Sequence, residues 1–478
     1  MILDDLLSDG SKLPPTRKLA HTLKVSRSTI VAAYDELAEE GFIESQVGSG
    51  SRVIKKENNI EKFSQPINWS RFSMFSDASL QDSLFKTIFD ACSYEDIISF
   101  APGFPARECM PIEELGQIFH QIIRKEGRFV FQRLFTAGYP PLRKILADWM
   151  VLEGKSTTPD EVLLSSGSRQ GLFLIAQTLL DTGDTVFVES PTYFGSLQLF
   201  KAVGAKIVAI PVDKDGMKVD VLERLLARQI PKFIYTLPTF QNPSGAVLSL
   251  ERRKALLELA YWYQVPIVED DPYSKLNYER IPPPPLKVLD KHNHVIYLGT
   301  FSKLLFPGLR IGWIVASLPL IDRLNQLKQL VDLHSNSISQ LAVCEFCRNE
   351  HFDTHLDRVR KVYSRKRDIM ISALKKHCSS HTEWQKPEGG YHLWCRLKEG
   401  LDSAELLREA TLEKVAFIPG MIFNADRTGA EWLRLNFTHT KEELIESGIQ
   451  KLKKAVLRLK KKVKLETERK RGDGSPIT

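Results

Sequence analysis

From Ile97 onward the chain repeats one pattern, and that pattern leaves few folds open. Short β-branched apolar runs alternate with longer amphipathic segments: "EVLLSS", "TVFVES", "KIVAIPV", "KFIYTLP", "VPIVEDD" and "HVIYLGT". Runs that are apolar on both faces suit strands buried on both sides, and alternation with helices gives the crossovers that parallel strands need. The expectation is a mainly parallel sheet covered by helices. After about residue 335 come helices with shorter strands, "GGYHLWCRL" and "EWLRLNF", which predict a smaller α/β domain.

At 478 residues the chain is long enough for two or three domains. Residues 1–56 differ in kind. Pro14 and Pro15 lead into "TRKLAHTL", with Leu19, Ala20 and Leu23 on one face. "KV" makes a turn, and Ser26 is a good N-cap for "RSTIVAAYDELAEEG". "FIESQVGSGSRVIKK" reads as two short strands around a Gly-Ser-Gly turn. Helix, tight turn, helix and wing make a winged helix-turn-helix. Its second helix presents its N-terminal residues to a major groove, here Arg27, Ser28 and Thr29. Arg17 and the wing glycines Gly48 and Gly50 are further candidate DNA contacts. Eight positive and eight negative side chains in residues 1–56 make this a local basic edge, not a basic domain. Residues 57–90 read as a linker that ends in a docking helix, and residues 91–478 as the third segment.

The composition, 43% hydrophobic and 26% charged, is that of a soluble globular protein. No apolar run is long enough for a membrane span. The first twenty residues, with Asp4, Asp5, Asp9 and Lys12, do not read as a signal peptide. Six scattered cysteines fit a reducing cytosol. Cys344 and Cys347 form a C-x-x-C on an apparent helix with no second pair, so a buried structural pair is expected and no metal site. The excess charge of +7 is exceeded by 451–471 alone, which carries eleven Lys or Arg against two Glu. That segment reads as a helix with a solvated basic face that frays into a tail; attraction to phosphate is the alternative.

In an open parallel sheet, ligands bind beyond the carboxyl ends of the strands. "SSGSRQG" follows one strand and opens a helix, so Ser168 and Arg169 can meet a phosphate at the helix N-terminus. Thr300, Ser302 and Arg310 of "GTFSKLLFPGLRIGW" can meet the same phosphate. "VEDDPY" ends a strand with two carboxylates, "QNPSG" puts Asn242 in a tight turn, and Tyr193 offers an aromatic face. Lys303 joins these into one site. A lysine in a dry pocket near positive charge loses proton affinity and becomes nucleophilic toward aldehydes. An amine, a phosphate cup and a carboxylate for a ring nitrogen are the three needs of pyridoxal phosphate.

"GYPPLR", "SSGSRQ", "SPTYFG", "QNPSG", "EDDPY", "GTFSKLLFPGLRIGW" and "LRLNF" together resemble fold-type I aminotransferases, especially the aminoadipate/kynurenine branch. The N-terminal "LPPTRKLA…VSRSTIVAAYDELAEEGFIES…GSGS" resembles the GntR-type winged helix. The fused order is similar to the MocR (GabR/PdxR-like) regulators. The resemblance implies that Lys303 links to the cofactor aldehyde and Asp270 partners its pyridine nitrogen. It implies that Asn242 and Tyr273 hydrogen-bond the phenolic oxygen and Tyr193 stacks on the ring. Ser168, Arg169, Thr300, Ser302 and Arg310 would form the phosphate cup, and Arg434 would bind the carboxylate of an amino-acid or amine effector. It also implies double-stranded DNA as a partner, a head-to-tail homodimer and a cytoplasmic protein. The alternative is a working aminotransferase with a vestigial DNA module. Two departures stand out. The family usually has Gln at the position of Arg169. The winged helix usually opens with a full helix, where only "MILDDLLSDG" stands here, so that first helix is expected to be truncated.

Overall fold

The computed structural model describes residues 7–46, 49–54, 67, 96–348 and 351–472. They belong to two compact units, divided between Ser76 and Asp77. The expected linker and its docking helix, and the opening segment before Leu7, lie outside the described residues, apart from Ile67 in the linker.

In the first unit, α1 (Thr16–Leu23) and α2 (Arg27–Glu39) are followed by a hairpin of β1 (Ile43–Gln46) and β2 (Gly50–Val53). Lys24 adopts a left-handed conformation, φ 53°, and closes α1. Ser26 caps α2 by accepting from the Thr29 N–H at 3.1 Å. The core is small: Ala20, Ile30, Tyr34 and Ile43 are buried, with Leu13, Leu19, Leu37 and Phe42 packed around them. The Tyr34 hydroxyl donates to the Pro14 carbonyl at 2.9 Å, which ties α2 to the turn before α1.

The second unit contains β3 (Ile98–Ser99), β4 (Val162–Ser165), β5 (Thr185–Ser190), β6 (Lys206–Asp213), β7 (Gly216–Met217) and β8 (Phe233–Thr236). Then follow β9 (Ile267–Asp271), β10 (Val295–Thr300) and β11 (Gly312–Val315). An eight-stranded sheet runs in the order β4-β11-β10-β9-β8-β5-β6-β7. Strands β10, β9, β8, β5 and β6 are mutually parallel, while β11 runs antiparallel between β10 and β4. All six sequence-predicted strands lie in this sheet; five of the runs are buried because helices cover both faces, whereas β6, next to the edge hairpin strand β7, is mostly half-buried. On one face Leu172 and Ile175 of the helix Ser168–Leu179 pack with Val186, Val188 and Val268. On the other, Leu256 and Ala260 of the helix Leu250–Tyr263 pack with Phe187, Ile234 and Ile267.

The smaller domain adds β12 (Thr382–Trp384), β13 (His392–Leu397), β14 (Val415–Ala416), β15 (Ile418–Pro419) and β16 (Trp432–Asn436). Its antiparallel sheet has the order β12-β13-β16-β15, and β14 pairs with β3. Cys344 is buried and Cys347 half-buried on the helix Ser337–Arg348. No group of three metal-ligating side chains occurs among the described residues. No described helix is long and apolar enough to cross a membrane. The basic segment belongs to the helix Glu442–Gly472, whose residues 461–465 are exposed.

Candidate functional site

The strand order explains why distant motifs meet. Ser165, Ser190, Thr236, Asp271 and Thr300 end β4, β5, β8, β9 and β10, and the residues just beyond them face one cleft. Because β11 is antiparallel, its first residue, Gly312, sits opposite both Thr300 and Ser165. Arg310, two residues earlier, therefore reaches the same edge. The cavity there measures about 540 Å³, and Ser168, Arg169, Tyr193, Asn242, Asp270, Tyr273, Thr300, Ser302, Lys303, Arg310 and Arg434 all line it.

Lys303 sits on the short helix Phe301–Leu304, and two contacts hold that turn. The Tyr391 hydroxyl donates to the Lys303 carbonyl at 2.5 Å, and His355 Nε2 donates to the Leu304 carbonyl at 2.9 Å. The Lys303 amine donates to the Gly103 carbonyl at 2.6 Å. Burial first, then the positive charge of Arg434, pull its pKa down to about 8; Asp270 opposes them, and Arg310 adds a smaller downward pull. Asp270 is buried, and burial pushes its carboxyl up to about 7. Its Oδ2 accepts from the Tyr235 hydroxyl at 2.7 Å, whereas Oδ1 has no partner among the described residues.

At the other end, Gly167, with φ 92°, precedes the helix Ser168–Leu179 and leaves its first N–H groups facing the cleft. Arg310 donates to the Ser166 carbonyl at 2.7 Å. Neither glycine is free to carry a side chain: Gly167 holds a positive φ, and a Cβ on Gly312 would lie 2.6 Å from the Gly167 carbonyl carbon. Arg169 and Arg310 are exposed at the rim. The Thr300 hydroxyl is already committed, accepting from the Ser302 N–H at 3.1 Å.

Arg434, on β16, is 2% exposed and donates to Asn242 Oδ1 at 2.9 Å and to the Ala101 carbonyl at 2.6 Å. Asn242 thereby keeps its amide nitrogen as the donor end. The Tyr273 hydroxyl is 3.1 Å from His392 Nε2. His392, Gln198, Phe104, Phe194, Ile418 and Ile422 complete the wall, and sequence reasoning missed them. Most come from segments whose apolar patterning reads as ordinary strand or helix, and Phe104 from the Pro-Gly loop 101–106. Only His392, an imidazole inside the core run "GGYHLWC", carried a visible signal.

Of the candidate DNA contacts, Arg17 is exposed on α1, and Arg27, Ser28 and Thr29 are exposed at the start of α2. The Ser28 and Thr29 hydroxyls each lie 2.7 Å from that of Ser26. Gly50 opens β2 with φ 86°, and Gly48 lies outside the described residues.

Residues 106–452 match the family model of aminotransferases of class I and II, and residues 1–53 that of the bacterial regulatory proteins of the gntR family. The chain is 30% identical to the probable rhizopine catabolism regulatory protein MocR of Rhizobium meliloti, over 87% of this chain and 84% of that protein. The chain belongs to the MocR-type GntR regulators. The regulator also matches aminotransferases over nearly their full length. It is 38% identical to aromatic-amino-acid aminotransferase 1 of Thermococcus litoralis, over 83% of this chain and 97% of that one. The crystal structure of LysN, the α-aminoadipate aminotransferase of Thermus thermophilus, complexed with N-(5'-phosphopyridoxyl)-L-leucine, superposes with a TM-score of 0.77. It is 36% identical, covering 82% of this chain and 99% of that chain. The regulator therefore has the fold-type I architecture, a DNA-binding N-terminal module and pyridoxal phosphate as cofactor. The cavity's donor set suits that cofactor: a buried amine of lowered proton affinity, an unpartnered buried carboxylate oxygen, and a glycine-lined helix start flanked by two arginines.

Proposed function

We propose that this regulator senses a primary amine at its cofactor and answers with a change in DNA binding. The observation that carries the reading is the convergence of Lys303, Asp270 and Arg434 on one cavity in a chain that also has a recognition helix. When bound, pyridoxal phosphate supplies an aldehyde that condenses with amines and a ring that withdraws electrons. Lys303 holds the aldehyde end, and its lowered pKa keeps part of the amine neutral near pH 7. Asp270 Oδ1 accepts from the ring nitrogen. Asn242 and Tyr273 donate to the phenolic oxygen, and Tyr193 covers a ring face. The helix N-terminus with Ser168, Arg169, Ser302 and Arg310 holds the phosphate; Thr300 serves chiefly by fixing Ser302. Arg434 binds the effector's carboxylate, and Phe104, Phe194, Ile418 and Ile422 favour an apolar remainder.

The division of labour follows the chain: 1–56 bind DNA through Arg17, Arg27, Ser28, Thr29, Gly48 and Gly50, 57–90 link, and 91–478 hold the cofactor. Two copies act together in the cytoplasm as a head-to-tail dimer. Exposed apolar side chains at Ile112, Ile123, Phe129, Phe131 and Phe135 support a second copy. Arg434→Leu tests the effector site. The variant should still load cofactor, yet lose the absorbance response to carboxylated amines by about tenfold or more in affinity, since a charged hydrogen-bonded pair is lost. An unchanged affinity would move the carboxylate elsewhere.

A further inference from the structure

His392, the first residue of β13, is 2% exposed and lines the cavity beside Lys303 and Arg434. Its ring stands at 88° to that of Tyr273, and Nε2 lies 3.1 Å from the Tyr273 hydroxyl. Nδ1 is buried without a partner among the described residues. The imidazole is held neutral, well below its ordinary pKa, by burial and then by the positive charges of Arg434 and Lys303. The Tyr273 and Tyr391 rings are its other titratable neighbours. One proton therefore belongs to the ring, and two arrangements exist. If Tyr273 donates to Nε2, the imidazole proton sits on Nδ1 as a buried donor with nothing to receive it. If Nε2–H donates to the phenol oxygen, Nδ1 is left with only a bare lone pair. With the cofactor's oxygen in the cavity to accept the Tyr273 proton, the second arrangement leaves only the Nδ1 lone pair unmet, whereas the first leaves a buried N–H without an acceptor and withholds the phenol proton from the cavity, so the second is favoured when cofactor is bound. In it the Tyr273 proton has no acceptor among the described residues and points to whatever occupies the cavity.

We propose that His392 is a positioning residue that fixes the direction of the Tyr273 hydroxyl, so that this phenol donates into the cavity toward the cofactor's phenolic oxygen. The proposal rests on the reading of Tyr273 as a cofactor contact. A donor on that oxygen stabilises its anionic form, so losing the donor raises the pH at which the bound cofactor's visible absorbance changes.

The test is a pH titration of the absorbance of the cofactor-loaded full-length protein and three variants. Tyr273→Phe and His392→Leu should both move the midpoint to higher pH, by about threefold or more in proton affinity, a modest share of a hydrogen bond to a charged group. His392→Gln, whose amide can donate as Nε2–H does, should titrate close to wild type. A wild-type midpoint for Tyr273→Phe would overturn the assignment of Tyr273 itself, and the proposal with it. A shift in Tyr273→Phe with none in His392→Leu would overturn the positioning role alone. Equal shifts in His392→Leu and His392→Gln would also overturn it. Should His392→Leu fail to fold, a displaced midpoint in His392→Gln by itself contradicts the proposal.

Discussion

A lysine that must capture an aldehyde near neutral pH needs to be unprotonated, and the cavity supplies the means. An ordinary lysine, pKa 10.5, is neutral about once in 3,000 molecules at pH 7; Lys303, at about 8, is neutral about once in ten. That is roughly a 300-fold gain in reactive amine at pH 7. The perturbation is pH. Cofactor-free protein is mixed with pyridoxal phosphate in a stopped-flow spectrometer between pH 7 and 10, and covalent capture is followed by absorbance, with Lys303→Ala as the blank. The rate should rise about tenfold from pH 7 to pH 9 and bend near pH 8, as the neutral fraction does. Two variants check the cause. Arg434 lowers the amine's proton affinity, so Arg434→Leu should move the bend to higher pH; Asp270 raises it, so Asp270→Asn should move the bend lower. A rate that climbs nearly tenfold between pH 8 and pH 9, where a pKa near 8 allows only about twofold, would sink this explanation, because the amine would then be an ordinary one.

Asp270→Asn should also separate stability from function. Burial raises the Asp270 pKa to about 7, so the native state holds this proton more tightly than the unfolded chain, and stability falls as pH rises from about 4 to about 7. The cofactor-free variant should therefore unfold at higher denaturant than wild type at pH 8, with little difference near pH 4, while losing cofactor retention; the reverse order at pH 8 would contradict the linkage. At the DNA end, Arg27→Ala should weaken specific binding by about tenfold or more, the scale of one good base contact, and more than removal of residues 465–478 does in fluorescence anisotropy. The opposite ranking would give recognition to the basic tail.

The large-domain strands were legible because parallel strands buried on both faces must be apolar throughout, and the site motifs were legible because ligands sit at their carboxyl ends. "EDDPY" and "GTFSK" carry polar groups where a buried strand has no other reason to end in them. Two things were not legible. The place of β11 in the sheet, which brings Arg310 opposite the Ser168 turn, depends on pairing between segments some 150 residues apart, and local periodicity does not encode pairing. The cavity wall was also hidden: Ile418, Ile422 and Phe194 look like any core residue until the smaller domain is placed over the sheet edge. The commitment of Thr300 to the Ser302 N–H belongs to the same class, a hydroxyl whose partner lies in a turn geometry that spacing alone leaves open.

Amine binding at Lys303 and Arg434 should be read out on DNA. A single titration decides it: operator-containing DNA and cofactor-loaded protein, with apolar and acidic amino acids added in turn, while anisotropy and keto-acid formation are recorded in the same samples. At least one amine should change DNA affinity several-fold, with turnover far below the roughly 10 per second of ordinary enzymes. Sustained turnover at that ordinary rate, with DNA affinity unmoved by the same amine, would contradict it and make the protein an aminotransferase carrying an idle DNA module.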